Sequence, residues 1–328
     1  MKTVIITAML QSSLTAARRG TATAALLATA VLLASCSSNS DDASAPAATG
    51  DCPVAPVDVV VSVDQWGDIV SELGGACAKV STLLAGSSVD PHDYEPTPAD
   101  AATFSGAQLV VINGGHYDEW AAKLAASSAP AAPVLSAVDL GAGGQAHDHD
   151  HEQNPHVWYD PATVTAVADA VTAELQKLSP GAAGYFTERR TAFTAAIQPY
   201  AELIGKLKAA ATGKTYAATE SVFDLTAQAI GLVDKTPAGF AAAAANETDP
   251  APADLDAFLR LLDDKGVDVL IYNTQTEGTV PEQVRAAAEA AGVPVVNVTE
   301  TVAPGAKSFE AWQVDQLTAL AKALGVSP

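Results

Sequence analysis

Short runs of β-branched residues alternate along the chain with longer, Ala-rich stretches whose apolar positions recur at helical spacing. Brief apolar runs indicate buried strands, and apolar residues three and four apart indicate amphipathic helices. The pattern predicts strands at Val57–Val63, Ala78–Leu84, Leu109–Asn113, Val134–Ser136, Thr215–Ala218, Val267–Tyr272 and Val293–Val298. It predicts helices at Gln65–Leu73, Thr97–Phe104, Glu119–Ala126, Pro161–Leu178, Val222–Ile230, Ala253–Lys265, Pro281–Ala291 and Glu310–Leu324. This β–α alternation is typical of a parallel, helix-covered sheet.

The longest helical pattern begins at Ser179-Pro180 and runs to about residue 212. About 30 residues of helix would extend ~45 Å, more than one small domain needs. We therefore predict a rigid helix, residues 179–212, that joins an N-terminal lobe (53–178) to a C-terminal lobe (213–328). Pro199 should kink it. Pro161 and Asp160 suit the first turn and the N-cap of the preceding helix.

Residues 1–35 form a predicted signal peptide, with basic residues at Lys2, Arg18 and Arg19 followed by an apolar run from 22 to 34. About 13 apolar residues are too few to span a bilayer comfortably. The run ends in LASC, which resembles a bacterial lipobox and predicts acylation of Cys36. A plain secretory signal with a chance cysteine is the alternative. Polar residues 36–52 suit a flexible tether, so we expect an extracytoplasmic protein anchored to the membrane by lipid.

The net charge limits the class of binding partner, and the cysteine content predicts a disulfide. The 328-residue chain has a formal net charge of −21, and removal of the signal peptide, with three basic and no acidic residues, makes it −24. Nucleic acid is therefore excluded as an expected partner. The remaining cysteines, Cys52 and Cys77, predict one disulfide in an exported protein, worth on the order of 3 kcal/mol; two buried thiols are the alternative.

The six histidines lie outside the predicted helices and strands: His92, His116, His147, His149, His151 and His156. His92 and His156 each follow a proline and have a carboxylate a few residues away. A metal-binding imidazole needs a fixed direction and an acceptor for its second N–H, and a rigid loop with nearby acids can supply both. Residues 147–152 read HDHDHE in a Gly-rich surface loop. Together these features favour a metal-binding protein.

Three segments resemble ligand loops of the zinc/manganese family of solute-binding lipoproteins of metal ABC transporters: VDPHDYEPTPAD (89–100), NPHVWYDP (154–161) and ATESVFD (218–224). The resemblance covers essentially the whole chain after the signal peptide. It implies an α/β fold with two lobes of twisted, mostly parallel sheet and flanking helices, joined by one long backbone helix. The metal, Zn²⁺ or Mn²⁺, would lie between the lobes and pass to the membrane permease of an importer, from a monomeric protein.

The resemblance implies that His92 and His156 are ligands from the N-terminal lobe and Glu220 a ligand from the C-terminal lobe. In the family the fourth ligand, often Asp, follows a strand that corresponds here to Val267–Tyr272. This chain has YNTQTEG at 272–278, which places Glu277 at that position. Gln275, Asn273 or water are the alternatives. His116 is a candidate auxiliary contact and otherwise a surface residue.

Two His and added carboxylates leave zinc and manganese both open, and the His-rich tract favours zinc. Because the ligands must lose protons, metal affinity should fall as pH drops through the imidazole range. A cell-surface zinc metallohydrolase is the main alternative, although the chain has no HExxH pair and no Ser-centred elbow. A structural lipoprotein without metal and a receptor for organic solutes are further alternatives.

Overall fold

The computed structural model describes residues 51–86, 94–141, 154–246, 248–276 and 278–327. Its strands form two four-stranded sheets, in which all the neighbouring strands run parallel. The strands are β1 Val57–Val63, β2 Ala78–Leu84, β3 Leu109–Ile112, β4 Val134–Ser136, β5 Thr215–Ala218, β6 Val233–Asp234, β7 Val269–Asn273 and β8 Val295–Val298. The helices are α1 Asp64–Gly74, α2 Pro98–Phe104, α3 Glu119–Ser128, α4 Ala137–Gly141, α5 Pro161–Leu178, α6 Ala183–Ala196, α7 Gln198–Ala211, α8 Asp224–Ile230, α9 Ala238–Ala245, α10 Pro252–Asp263, α11 Thr279–Ala291 and α12 Phe309–Ala323.

The two sheets share one topology. The strand order is β2-β1-β3-β4 in the first and β6-β5-β7-β8 in the second, so in each the first strand is flanked by the second and the third. In such sheets ligands bind beyond the carboxyl ends of the strands, where the chain order reverses. The predicted two-lobe α/β fold with parallel sheets is confirmed.

The predicted linking helix is divided at Ile197 into α6 and α7. Pro199 lies in the first turn of α7. It has no N–H to donate to the carbonyl four residues earlier, and its ring crowds that turn, so the predicted disturbance takes the form of a break. Helix α6 packs on α5 and α1, whereas α7 packs on α12 and α8. One half of the link therefore belongs to each lobe.

Residues between Gly231 and Pro252, where the sequence pattern predicted neither a strand nor a helix, contain two further elements, β6 and α9. A two-residue edge strand is too short to give an alternating pattern. The sequence of α9 is almost entirely Ala, with Phe240 as its buried anchor, so it has no amphipathic periodicity to detect. Phe240 packs edge-on against Phe258 of α10, with ring centroids 4.7 Å apart.

The larger apolar core is continuous across the two lobes. Tyr159, from the turn before α5, belongs to this core and is fully buried. Its ring packs edge-on against Phe223 and Trp312 of the second lobe. Its hydroxyl oxygen lies 2.7 Å from both Thr299 O and Gln316 Oε1, either of which can accept its single hydrogen. The start of α5 is thereby fixed to the end of β8.

The predicted cap and disulfide are both present. The side chain of Asp160 accepts from the backbone N–H groups of Ala162 and Thr163 at the start of α5. Cys52 and Cys77 are bonded, which joins the segment before β1 to the turn after α1. Among the described helices, none combines the length and apolar character needed to cross a bilayer.

Candidate metal centre

His156 lies in a turn just before α5 and is almost fully buried. The Oδ1 atom of Asn154 accepts from its backbone N–H at 2.9 Å and lies 2.8 Å from its Nδ1. Because an amide oxygen can only accept, Nδ1 carries the hydrogen and Nε2 the lone pair. Neutral imidazole in a fixed tautomer is the form that ligates metals.

The strand-end loop at residues 113–118 supports this turn from the same lobe. Asn113 Nδ2 donates to Pro155 O at 2.9 Å, and Asn113 Oδ1 accepts from Trp66 Nε1 at 2.9 Å. The rings of Trp158 and Tyr117 surround the imidazole, with centroids 5.3 and 6.1 Å from its own. This apolar wall excludes water from one side of His156, and a low local dielectric strengthens electrostatic interactions there.

Glu220 follows β5 at the carboxyl edge of the second sheet. Its Oε2 accepts from Asn273 Nδ2 at 2.8 Å and from the hydroxyl of Thr276. The neighbouring Ser221 O accepts from Asn154 Nδ2 at 2.9 Å. The turn that carries Glu220 is therefore tied directly to the turn that carries His156.

Glu300 follows β8 at the same edge and is 5% exposed. Its Oε1 accepts from Asn273 Nδ2 at 2.9 Å, and its Oε2 accepts from Tyr117 Oη at 3.3 Å. Its backbone N–H donates to Gln275 Oε1 at 2.7 Å. Oε2 lies 4.0 Å from His156 Nε2, so an acid of one lobe faces the imidazole of the other.

His156, Glu220 and Glu300 converge on one point. One ligand atom from each lies within 4.8 Å of the other two. Metal ligands bind in their deprotonated forms, so with a metal bound the three side chains would contribute one neutral imidazole and two carboxylates. Two acids side by side, one buried and one half-buried, are favoured where a cation balances them. Nitrogen and carboxylate donors suit Zn²⁺, Mn²⁺ and neighbouring metals.

The other predicted site residues are distributed differently. His92, Glu277, Cys36 and the histidines 147, 149 and 151 lie outside the described residues. The alternatives to Glu277 have other partners: Asn273 bridges the two carboxylates, and Gln275 Oε1 accepts from the backbone N–H groups of Glu300 and Thr301. His116 is exposed and pairs with Glu119 at 2.5 Å on the surface.

Glu300 was not among the ligands predicted from the sequence. The residue comes two positions after the buried strand β8, as Glu220 comes two after β5. Carboxyl ends of parallel strands meet at one edge of a sheet, so acids at both strand ends would lie together. This spacing places Glu300 beside Glu220, whereas the family resemblance implied a fourth ligand after β7.

Comparison with known proteins shows to which family a chain with this arrangement belongs. A family model described as "ZnuA: Zinc-uptake complex component A periplasmic" matches residues 59–323. The chain belongs to this family. The match includes both sheets and all three converging residues, and the resemblance noted in the sequence is thereby confirmed.

Individual ZnuA-family relatives are distant. The chain is 26% identical over 204 residues to the high-affinity zinc uptake system protein ZnuA of Bacillus subtilis, covering 58% of this chain and 62% of that protein. It is 24% identical over 151 residues to the manganese-binding lipoprotein MntA of Halalkalibacterium halodurans, covering 44% and 48%. The matches thus span less than two thirds of these relatives' own length.

The solved structure of the periplasmic zinc-binding protein TroA from Treponema pallidum is similar with a TM-score of 0.69 and 18% identity, covering 82% of this chain and 99% of that one. At that identity the likeness shows the fold. ZnuA-family members are metal-binding transport components, and the comparisons give no support to the metallohydrolase alternative.

Proposed function

We propose that this protein captures Zn²⁺ or Mn²⁺ outside the cytoplasm and delivers it to the membrane permease of an ABC importer. One observation carries the proposal: His156 from one lobe meets Glu220 and Glu300 from the other within 4.8 Å. Ligands on both lobes let one cation stabilise a single arrangement of the two, because the ion binds that arrangement with higher affinity. A permease can recognise that arrangement.

His156, Glu220 and Glu300 are the proposed ligands, with His92 and Glu277 as further ligands that the family resemblance implies. The names of the relatives include both zinc and manganese binders. The lipobox at Cys36 supports attachment to the membrane through lipid, which keeps the captured ion beside the permease. The permease as partner rests on membership of the zinc-uptake family.

The test is calorimetric titration of the chelator-treated protein with Zn²⁺ and, separately, Mn²⁺, together with elemental analysis. We expect one ion per chain, loss of binding in His156→Ala, and unchanged binding in Glu188→Gln, an exposed control on α6. Absence of binding to either ion in the wild-type protein would refute the proposal. Chelator-sensitive hydrolysis of ester or phosphoester substrates would favour an enzyme instead.

A further inference from the structure

Helix α1 has one apolar and one acidic face. Trp66, Ile69 and Val70 are fully buried in the core. Asp64 and Asp68 are four residues apart, so they lie one above the other on the helix surface. Their carboxylates bond to segments distant in the sequence, so this pair has a role beyond the packing of α1.

Asp64 bonds to both lobes. Its Oδ2 accepts from the backbone N–H of Gly86, in the first lobe, at 2.7 Å. Its Oδ1 accepts from the backbone N–H of Val302, in the second lobe, at 3.2 Å. Val302 is only two residues beyond Glu300. One carboxylate therefore holds the segment that carries Glu300 against the first lobe.

Asp68 bonds to the far end of the same segment. Its Oδ2 accepts from the backbone N–H of Phe309, the first residue of α12. A carboxylate is favoured at that position by the unsatisfied N–H groups and the dipole of the helix. The chain from Glu300 to Phe309 is thus held at both ends by acids of α1.

We propose that Asp64 and Asp68 are positioning residues that set Glu300 beside His156 by holding the segment from Glu300 to Phe309 on the first lobe. We refer to this pair as the α1 clasp. Within the second lobe, Gln275 Oε1 accepts from the N–H of Glu300. The clasp restrains the segment from Glu300 to Phe309 from the first lobe. Its role in metal binding rests on the proposed function.

Burial raises the pKa of both clasp carboxyls, while the bonds to Val302, Gly86 and Phe309 oppose that rise. Charge-assisted bonds to backbone N–H groups are among the stronger hydrogen bonds in proteins. Each clasp carboxylate therefore has fixed backbone N–H partners, and the two oxygens of Asp64 accept from N–H groups of different lobes. An amide at Asp64 can keep only one of the two bonds.

The clasp is tested by the variants Asp64→Asn, Asp68→Ala and Asp68→Asn, titrated with Zn²⁺ and Mn²⁺. The control is Asp268→Asn, because Asp268 Oδ2 also accepts a backbone N–H, that of Thr215 at 2.7 Å, but within one lobe. We expect Asp64→Asn and Asp68→Ala to weaken metal binding by about 10-fold, as when groups that orient ligands are removed. Asp68→Asn, which keeps an acceptor oxygen, should restore part of the loss.

A second measurement separates the clasp from the proposed function. Amide hydrogen exchange at Val302 and Phe309 in the metal-free protein should accelerate several-fold in Asp64→Asn and Asp68→Ala, and stay unchanged in Asp268→Asn. Equal loss of metal affinity in the control and the clasp variants would overturn the inference. If the wild-type protein binds no metal, the proposed function fails, and the exchange rates alone decide whether the clasp exists.

Discussion

Replacing Glu300 with Gln should change metal binding and stability in opposite directions. Glu300 and Glu220 have ligand atoms within 4.8 Å of each other. At an effective dielectric of 20, two unit charges at that distance repel by about 3 kcal/mol. Glu300→Gln removes one of the two charges and with it this repulsion in the metal-free protein.

The substitution also weakens bonds that the carboxylate accepts from Asn273 and Tyr117. A bond to a charged acceptor is worth about 1 kcal/mol more than one to a neutral acceptor. Weakening both bonds therefore offsets about 2 kcal/mol of the stability gained by removing the repulsion between the two carboxylates. The metal-free Glu300→Gln protein should therefore be more stable by about 1 kcal/mol. That corresponds to a rise in Tm of about 3 °C for a protein of this size.

Metal affinity should fall by at least about 100-fold, because Gln supplies no charge to a dication. If the metal is at 1,000 times the wild-type Kd, the wild-type protein gains about 4 kcal/mol and the variant about 1.4 kcal/mol. Thermal unfolding at pH 8 with and without Zn²⁺ measures both effects, with Glu188→Gln as the control. A variant that is less stable without metal and keeps the full metal-induced shift would refute the role given to Glu300.

Three further predictions concern the tautomer of His156, the carboxyl group of Glu72 on α1 and the disulfide. Asn154→Ala removes the acceptor for Nδ1–H of His156 and should weaken zinc binding about 10-fold, whereas Asn154→Asp, which keeps the acceptor but loses the donor to Ser221 O, should restore only part of it in calorimetric titration. Burial and then a neighbouring glutamate raise the pKa of Glu72 to about 7 from its ordinary 4.5. The folded state thus binds this proton more tightly than the unfolded chain, and the stabilisation is complete below pH 4.5 and lost as pH rises through 7. The full shift corresponds to about 3 kcal/mol, and since the carboxyl is only partly buried we expect about 1 kcal/mol. The free energy of unfolding, measured with urea between pH 5 and 8, should therefore fall with rising pH by about 1 kcal/mol less in Glu72→Gln than in the wild-type protein. An equal pH dependence in both proteins would contradict the assignment. Reducing the Cys52–Cys77 bond should lower the free energy of unfolding by about 3 kcal/mol, and an unchanged Tm in dithiothreitol would show that the bond contributes nothing.

Local patterns in the sequence predicted most of the fold because each strand and helix carries its own signal. The boundaries of β1, β2, β4, β5 and α5 match the predictions residue for residue. Helix α9 had no such signal, since an Ala-rich segment has no polar face and its position depends on the packing of Phe240.

The site was predicted in part for the same reason. His156 and Glu220 lie in motifs that the sequence displays locally, and the structure brings them together. Glu300 lies in no motif, and it becomes a site residue only because β8 runs parallel to β7 at the same sheet edge. Its neighbours Asn273 and Tyr117 come from different lobes.

The sequence by itself therefore determined most of the secondary structure, the disulfide pair and two of the converging residues. These features depend on side-chain type and on short-range spacing. Only the tertiary structure decided that Glu300 completes the cluster and that Asp64 holds its segment on the opposite lobe. Such contacts join residues up to 241 positions apart, and they follow from how the two sheets pack together.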